Sequence, residues 1–340
     1  MLEGDRYSRQ VRFAAIGKEG QERLEAASVV LVGLGALGSV AADQLVRSGV
    51  GRLRLIDRDL VELSNLQRQT LYDEEDVRRG LPKAIAAQAR LERINSTVKL
   101  SAVVDDLNPS NVEELIEGAD LVLDAVDNFE TRFIINDACR KSKRAWIYAA
   151  AVGSYGVVMP VLSDWACLRC VIGSLPAPGS SPTCDTAGVI APITNVIASI
   201  EVAEAFRFLT GKLSAEDVCL ISFDVWSGRF HSMKISEEVR RRCPLCAEGQ
   251  LDYLDAAPLR TISLCGRNAV QLIPAVRGEL DMAEVGKSLE VFGTVQSNEF
   301  LLKCHNPPYE LTLFRDGRAI VKGTEEAAVA RSVYSKMVGL

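Results

Sequence analysis

Four cysteines arranged in two Cys-x-x-Cys pairs are the residues of this chain whose spacing indicates a metal site. The pairs are Cys167–Cys170 and Cys243–Cys246. Two such pairs are typical of structural Zn²⁺ sites, in which four thiolates complete a tetrahedron and leave no position open for a reactive water. The alternative interpretation is two unrelated turns or a redox pair.

A glycine-rich turn, Gly33-Leu-Gly35-Ala-Leu-Gly38, indicates a nucleotide site. Glycines let the backbone approach phosphates, which then meet the positive end of the following helix. Asp57 ends the next apolar segment, where a carboxylate can accept hydrogen bonds from ribose hydroxyls. The pattern does not distinguish NAD from ATP, and a tight packing turn without a ligand is the alternative.

The segment that follows Asp57 has more polar side chains than a connector requires. Asp59 is a candidate for the ribose, Arg68 for a phosphate, and Asn65 and Gln69 for hydrogen bonds to a nucleotide. Each of these residues alone would more often be a solvated side chain or a helix N-cap.

Two more charged residues stand at predicted element ends. Lys83 follows Pro82 at the start of a helix, where its charge opposes the helix dipole. It is therefore a candidate partner for a polyphosphate, although a solvated lysine is the default. Asp127 follows a predicted strand at the edge where α/β sheets bind ligands, so it is a candidate Mg²⁺ ligand. Alternatively, Asp127 and Glu130 form an N-cap arrangement.

Alternating strand and helix patterns predict the elements that position these residues. An α/β fold is expected, with a doubly wound, Rossmann-like and mostly parallel sheet. After Gly153 the pattern changes to an antiparallel extension, and the first domain is expected to span residues 1–250. Residues 258–340 are expected to form a small α+β domain, which contains no catalytic motif and is interpreted as a docking or dimer-supporting module. The predicted strands of the first domain are 28–33, 52–57, 98–104, 119–126, 145–150, 156–162, 218–226 and 229–235.

Composition excludes several classes of function. The formal net charge of the 340 residues is −6, which argues against a nucleic-acid binder. No apolar run reaches the roughly 20 residues that span a bilayer. The polar start of the chain and nine cysteines, an odd number, predict a cytoplasmic protein with free thiols.

Several motifs occur in an order that resembles the ThiF/MoeB/HesA family, which is related to ubiquitin-activating enzymes. Within the family, the resemblance is greatest to thiazole-biosynthesis adenylyltransferases of the bacillus type, which also carry a C-terminal extension. The resemblance covers residues 5 to about 249. The matching segments are Arg6-Tyr-Ser-Arg9-Gln10, Gly33–Gly38, Ser64–Gln69, Pro82-Lys83, Asp124–Asn128, Thr183–Gly188 and both cysteine pairs.

The resemblance implies an adenylyltransferase that uses ATP and Mg²⁺ to activate a ubiquitin-like sulfur-carrier protein ending in Gly-Gly. It implies that Asp57 holds the ribose and that Asp127 binds Mg²⁺. It also implies that Asn65, Arg68 and Lys83 contact phosphates. Arg9 would reach into the site of a partner subunit, which implies a homodimer. A cysteine desulfurase is the candidate source of sulfur.

Other interpretations stay open from the sequence. An NAD-dependent oxidoreductase explains the glycine turn and Asp57, but it leaves Arg68, Lys83, Asp127 and the four paired cysteines without a function. A non-catalytic scaffold that binds a ubiquitin-like partner is a second alternative, and the tRNA-modifying cyclase branch of the superfamily is a third. Cys184 is either a covalent attachment point for the carrier or an ordinary loop cysteine. The sequence does not distinguish a thiamin carrier from a molybdopterin carrier.

Overall fold

A computed structural model describes residues 6–175, 187–255, 261–264, 268–273 and 280–338. The chain divides into two compact units, Met1–Ala256 and Ala257–Leu340. The described helices of both units include none that is long and apolar enough to cross a membrane.

The first unit contains a mixed sheet of eight described strands in the order β3-β2-β1-β4-β5-β6-β7-β8. The strands β1 to β5 are parallel, and β6, β7 and β8 add to them as an antiparallel extension. The predicted doubly wound sheet with an antiparallel extension is therefore confirmed. The strands are β1 Ser28–Val32, β2 Arg52–Ile56, β3 Lys99–Val103, β4 Leu121–Asp124, β5 Ala145–Val152, β6 Tyr155–Val161, β7 Cys219–Asp224 and β8 Arg229–Lys234.

Four long helices, Ala36–Arg47, Lys83–Ile94, Phe129–Lys141 and Ala191–Leu209, pack against the strands of this sheet. Helix starts follow the expected signals: Gly35 precedes α3, Pro82 precedes α5 and the Asn128 side chain caps α7. The helices are α1 Ser8–Val11, α2 Gly17–Ala26, α3 Ala36–Arg47, α4 Glu74–Arg78, α5 Lys83–Ile94, α6 Val112–Leu115, α7 Phe129–Lys141, α8 Leu168–Ile172, α9 Ala191–Leu209, α10 Glu237–Arg241 and α11 Pro244–Glu248.

The carboxyl ends of the central strands are in register across the sheet. Val32 at the end of β1 pairs with Ile56 on one side and with Asp124 on the other. Strand β1 lies between β2 and β4, so the order in which strands are added to the sheet reverses there, and a crevice is expected above the strand ends. The segments that follow Val32, Ile56 and Asp124 therefore meet at one edge, which we call the crevice edge.

The second unit contains an antiparallel sheet of six described strands in the order β11-β12-β13-β14-β10-β9. Two helices pack on it, and the turn at Asp316-Gly317 connects β13 to β14. The α+β character is confirmed. The elements are β9 Thr261–Leu264, β10 Ala269–Leu272, α12 Met282–Leu289, β11 Thr294–Ser297, β12 Leu301–Asn306, β13 Tyr309–Phe314, β14 Ala319–Lys322 and α13 Ala327–Val338.

Several short elements have no counterpart among the predicted ones. Strand β11 was missed because its four residues are mostly exposed and carry no apolar alternation. Helices α4 and α8 have five residues each, too few for a helical period to show. Helix α6 is confined to Val112–Leu115, because the side chain of Asn108 accepts hydrogen bonds within a turn before it.

Candidate functional site: a nucleotide crevice and a four-cysteine cluster

Close packing requires a glycine at two of the three glycine positions in the turn but not at the third. Gly33 has φ +90°, and a Cβ there would lie 2.6 Å from the carbonyl oxygen of Ala125. A Cβ on Gly38 would lie 1.9 Å from the carbonyl oxygen of Gly33. Both glycines are therefore required by packing between β1, α3 and the end of β4. A Cβ on Gly35 would meet only the Nε2 atom of Gln69, at 3.8 Å, so packing does not require a glycine at the start of α3. Gly35 is thus the position at which the backbone is open to a phosphate.

Asp57 connects the end of β2 to the glycine turn. Its carboxylate accepts hydrogen bonds from the backbone N–H groups of Leu34, at 2.6 Å, and Asp59, at 2.7 Å. Burial raises the pKa of Asp57, while the charge of Lys83 opposes that rise. Each carboxylate oxygen has a second lone pair, so Asp57 can hold the turn and still accept from a ribose hydroxyl.

Lys83 is buried, so the default interpretation of a solvated lysine is wrong. Its Nζ lies 3.1 Å from a carboxylate oxygen of Asp59, and its backbone N–H donates to the Asp59 carbonyl at 2.9 Å. The carboxylate offsets the mismatch between the lysine charge and the amino end of α5. Arg58 belongs to the same group of charges, because its Nε atom lies 3.8 Å from Asp59 Oδ1 and its Nη1 atom donates to Asp106 at 2.6 Å.

The segment from Asn65 to Gln69 folds against the glycine turn. The Asn65 Oδ1 atom accepts from the backbone N–H of Glu62 at 3.1 Å, and the half-buried Arg68 donates to the Ser64 carbonyl at 2.9 Å. Gln69 is buried, and its Oε1 atom has no hydrogen-bond partner among the described residues. Its Nε2 atom is the nearest atom to a Cβ built on Gly35. A buried amide beside an open glycine is what a bound polar ligand would satisfy.

Asp127 is exposed at the crevice edge, just beyond β4. The expectation that Asp127 could serve as the N-cap of the following helix is wrong, because Asn128 accepts from the Thr131 N–H at 2.9 Å. The charge of Asp127 contributes to the raised pKa of both Arg58 and Arg132. Asp127 therefore lies among cations of the crevice edge and is not used as a helix cap.

An ion pair beneath Asp127 was missed from the sequence. Arg132 Nε lies 3.2 Å from the buried carboxylate of Asp124, and Arg132 Nη2 donates to the Val126 carbonyl at 2.6 Å. Burial raises the pKa of Asp124 to about 6. The pair fixes the backbone that carries Asp127. The available signal was a charged residue at the end of an otherwise apolar strand.

Arg9 lies near the carboxyl ends of α3 and α5, whereas the crevice edge lies at their amino ends. The segment that carries Arg9 is held where α3 and α5 end, because the Asn95 side chain donates to the Tyr7 hydroxyl at 2.8 Å. Gly35 and Lys83 stand where these helices begin, and twelve residues of helix separate the two ends. At 1.5 Å per residue this is about 18 Å. Asp57 and Gln69 lie against the glycine turn, and Lys83 pairs with Asp59. Asn65 and Arg68 lie on the segment that ends at Gln69, Asp127 follows the end of β4, and Arg9 lies outside this group.

The four cysteines converge, so the interpretation as unrelated turns is wrong. Their sulfurs all lie within 4.8 Å of one another. Neighbouring Sγ atoms are 3.9 Å apart for Cys167 and Cys170, 3.7 Å for Cys167 and Cys243, and 3.6 Å for Cys170 and Cys246. A tetrahedral Zn²⁺ with Zn–S distances of about 2.3 Å separates its sulfurs by about 3.8 Å, so the cluster fits a zinc ion. Cys184 lies outside the described residues.

The crevice edge can therefore bind an anionic nucleotide. It presents an open glycine at a helix amino end, a buried lysine, a half-buried arginine and an exposed carboxylate. Among the described residues, the four cysteines are the only group of three or more candidate metal ligands. A divalent cation at the crevice edge would therefore take most of its ligands from phosphates and water, as Mg²⁺ commonly does.

Comparison with known proteins gives concordant matches. The ThiF family model matches residues 7–245. The chain is 42% identical over 337 residues to the sulfur carrier protein ThiS adenylyltransferase of Bacillus subtilis (strain 168), covering 98% of this chain and 99% of that protein. It is 39% identical over 250 residues to the sulfur carrier protein adenylyltransferase of Thermus thermophilus, covering 72% and 91% respectively. A crystal structure of E. coli MccB with ATP matches with a TM-score of 0.62 at 25% identity, covering 72% of this chain and 75% of that chain.

Proposed function

The chain belongs to the ThiF family, and from this membership we propose that it is an ATP-dependent adenylyltransferase of a ubiquitin-like sulfur-carrier protein. The observation that carries the proposal is the similarity to the ThiS adenylyltransferase of Bacillus subtilis, which extends over 98% of this chain and 99% of that protein. The crevice edge supports it, because its residues suit a bound triphosphate.

In the proposed reaction the carrier's C-terminal glycine carboxylate attacks the α-phosphorus of ATP. A bond forms between the carboxylate oxygen and this phosphorus, and the bond from the phosphorus to the pyrophosphate oxygen breaks. The products are an acyl-adenylate and pyrophosphate. The carboxylate is already ionised, so no general base is required, and the protein must position the reactants and offset negative charge.

The crevice edge supplies groups for both tasks. Gly35 leaves room for phosphate oxygens at the amino end of α3. Asp57 is proposed to accept from the ribose, and Asp59 accepts a hydrogen bond from Lys83. Asn65, Arg68, Gln69 and Lys83 are the proposed phosphate and nucleotide contacts. The fold is shared with MccB, which has been crystallised with ATP.

Asp127 is the proposed protein ligand of Mg²⁺. When bound, Mg²⁺ would neutralise charge on the phosphates of ATP. The exposed carboxylate of Asp127 follows β4 at the crevice edge, and the ion pair of Asp124 with Arg132 keeps its backbone in place. Mg²⁺ needs only one or two protein carboxylates when phosphates complete its coordination.

We propose a homodimer, and the position of Arg9 supports it. This arginine is exposed, and the length of α3, about 18 Å, separates its segment from the crevice edge of its own chain. If Arg9 contacts phosphates, it must therefore reach the crevice of a second copy. The C-terminal unit is proposed to support docking of the carrier or formation of this dimer.

Cysteine chemistry is assigned to two separate roles. We propose that Cys167, Cys170, Cys243 and Cys246 hold a structural Zn²⁺, because four thiolates leave no position for a substrate. Cys184 is proposed to act only after adenylylation, when sulfur from a cysteine desulfurase is transferred to the activated carrier.

Mass spectrometry of the carrier tests the proposal directly. The purified protein is incubated with MgATP and a thiamin or molybdopterin carrier, and the mass of the intact carrier is measured. An adduct of one AMP on the carrier that ends in Gly-Gly, and none on the same carrier without its last glycine, is expected. Unmodified carriers in every reaction would contradict the proposal, and the carrier that gains AMP identifies the pathway.

A further inference from the structure

The second half of α7 contacts both segments that carry the cysteines. The Oδ1 atom of Asn136 accepts from the backbone N–H of Leu168, which follows Cys167, at 2.9 Å. The carboxylate of Asp137 accepts from the backbone N–H of Tyr253, in the segment after the second cysteine pair, at 2.9 Å. Asn136 and Asp137 are almost completely buried. This half of α7 is thus the surface on which the two cysteine segments are assembled.

Arg140, one helical turn after Asn136, contacts a cysteine sulfur directly. Its Nη2 atom lies 2.9 Å from the Sγ atom of Cys246 and 2.5 Å from the carbonyl oxygen of Trp165. Its Nη1 atom donates to the carbonyl oxygen of Ser163. Arg140 is half-buried, and its guanidinium is held by acceptors on three sides.

The contact brings the positive charge of Arg140 next to a cluster that is negatively charged when it holds zinc. Four thiolates around one Zn²⁺ carry a net charge of −2, and two of the cysteines are buried. A guanidinium is always charged and donates hydrogen bonds in a fixed geometry. Arg240 is a second cation near the cluster, but it stacks on Trp165 and pairs with Glu237 at 2.9 Å. Among the described residues, Arg140 is the cation with a hydrogen bond to a cluster sulfur.

We propose that Arg140 is a positioning residue of the four-cysteine metal site, which orients the Cys246 thiolate and offsets part of its charge. This inference rests on the proposed zinc site and not on the adenylylation reaction. Groups that hydrogen-bond to metal ligands typically change metal affinity by about 10- to 100-fold when removed. Arg140 is thereby assigned to zinc retention.

Zinc retention in Arg140→Met tests the proposal. The chain offers a matched control in Lys141→Met, because Lys141 is the next residue of α7 and is exposed, with Glu113 as its partner. Zinc content is measured after purification, and zinc release to a chromophoric chelator is then followed. We expect Arg140→Met to release zinc at least about 10-fold faster than the wild type, and Lys141→Met to match the wild type.

Cobalt substitution gives a readout that a purely structural role would not change. The sulfur-to-cobalt charge-transfer bands report the electron density on the thiolates, and they should shift in Arg140→Met but not in Lys141→Met. If Arg140→Met does not fold, Arg140→Lys decides the question, because lysine keeps the charge but loses the planar fork. It should release zinc several-fold faster than the wild type.

The outcomes separate the two proposals. A wild-type protein without stoichiometric zinc would contradict the zinc site itself. A zinc-containing wild type with unchanged release and cobalt spectra in the folded Arg140 variants would overturn the role of Arg140 and leave the zinc site intact.

Discussion

The ammonium group of Lys83 lies 3.1 Å from the carboxylate of Asp59, and the two residues occupy the edge that is proposed to receive ATP. The Lys83 side chain is almost fully buried, so its charge is held in place before any nucleotide binds. A preformed cation stabilises developing negative charge without having to reorganise during the reaction. The position of α5 and the pairing with Asp59 therefore hold this charge at the crevice edge, where the proposed chemistry takes place.

Replacing Lys83 by methionine should affect both activity and stability. Adenylylation should fall by about 10²- to 10³-fold, because a cation that faces the phosphates is lost. The free energy of unfolding should fall by about 1–3 kcal/mol, because Asp59 loses its closest cation. Adenylylation assays and chemical denaturation measure the two effects. The double variant Asp59→Asn/Lys83→Met should regain stability but not activity, and wild-type activity in Lys83→Met would contradict the assignment.

Asp127 and Asn128 are neighbours with separable roles. Asp127→Asn should reduce Mg²⁺-dependent adenylylation by at least about tenfold and leave the melting temperature unchanged, because Asn128 caps α7. Asn128→Ala should instead lower stability by about 1 kcal/mol, the usual effect of losing a cap. Magnesium titrations of activity and thermal melts of both variants make the comparison. Equal activity of Asp127→Asn and the wild type at every Mg²⁺ concentration would rule out the metal role.

The sequence predicts the sheet and the crevice edge because both depend on local patterns. Apolar segments that end in glycine or aspartate, as at Gly33 and Asp57, predict parallel strands with a ligand-binding site at their carboxyl ends. The pairing of Lys83 with Asp59 could not be predicted from the sequence. A solvated lysine and a buried lysine can have the same neighbours along the chain, and only the packing of β2 and α5 distinguishes them. The Asp124–Arg132 pair was missed for the same reason. The geometry of the cysteine cluster likewise depends on contacts from α7 that spacing does not show.

Asp137 should make stability depend on pH. Burial raises its pKa to about 6 from an ordinary value of 3.8. Between these two values the folded state keeps the proton and the unfolded state releases it, so the contribution of Asp137 to stability falls as the pH rises through this window. Asp137→Asn does not titrate, and its amide oxygen can still accept from the Tyr253 N–H.

The stability of Asp137→Asn relative to the wild type should therefore increase from pH 4 to pH 7. A shift of about two pKa units corresponds to a change of at most about 3 kcal/mol. Urea denaturation at each pH measures it, with Glu117→Gln as a control at an exposed carboxylate. A difference between Asp137→Asn and the wild type that stays constant across this range would show that Asp137 is not the responsible group.

Cys184 should be dispensable for the first chemical step. The proposed adenylylation uses the carrier's own carboxylate as the nucleophile, so Cys184→Ala should form the AMP adduct at the wild-type rate. Sulfur transfer to the carrier, measured separately with a desulfurase, would show whether the thiol acts later. Loss of AMP-adduct formation in a folded Cys184→Ala variant would contradict the proposed division of roles.

The most direct test of the central claim is ATP–pyrophosphate exchange by the purified protein, with and without carriers that end in Gly-Gly. Exchange that requires Mg²⁺ and one carrier is predicted, because only carboxylate attack on the α-phosphorus releases pyrophosphate reversibly. The exchange should be lost when the carrier's last glycine is removed. Absence of exchange with every carrier, although ATP binds, would contradict the account and favour a protein that binds the carrier without activating it.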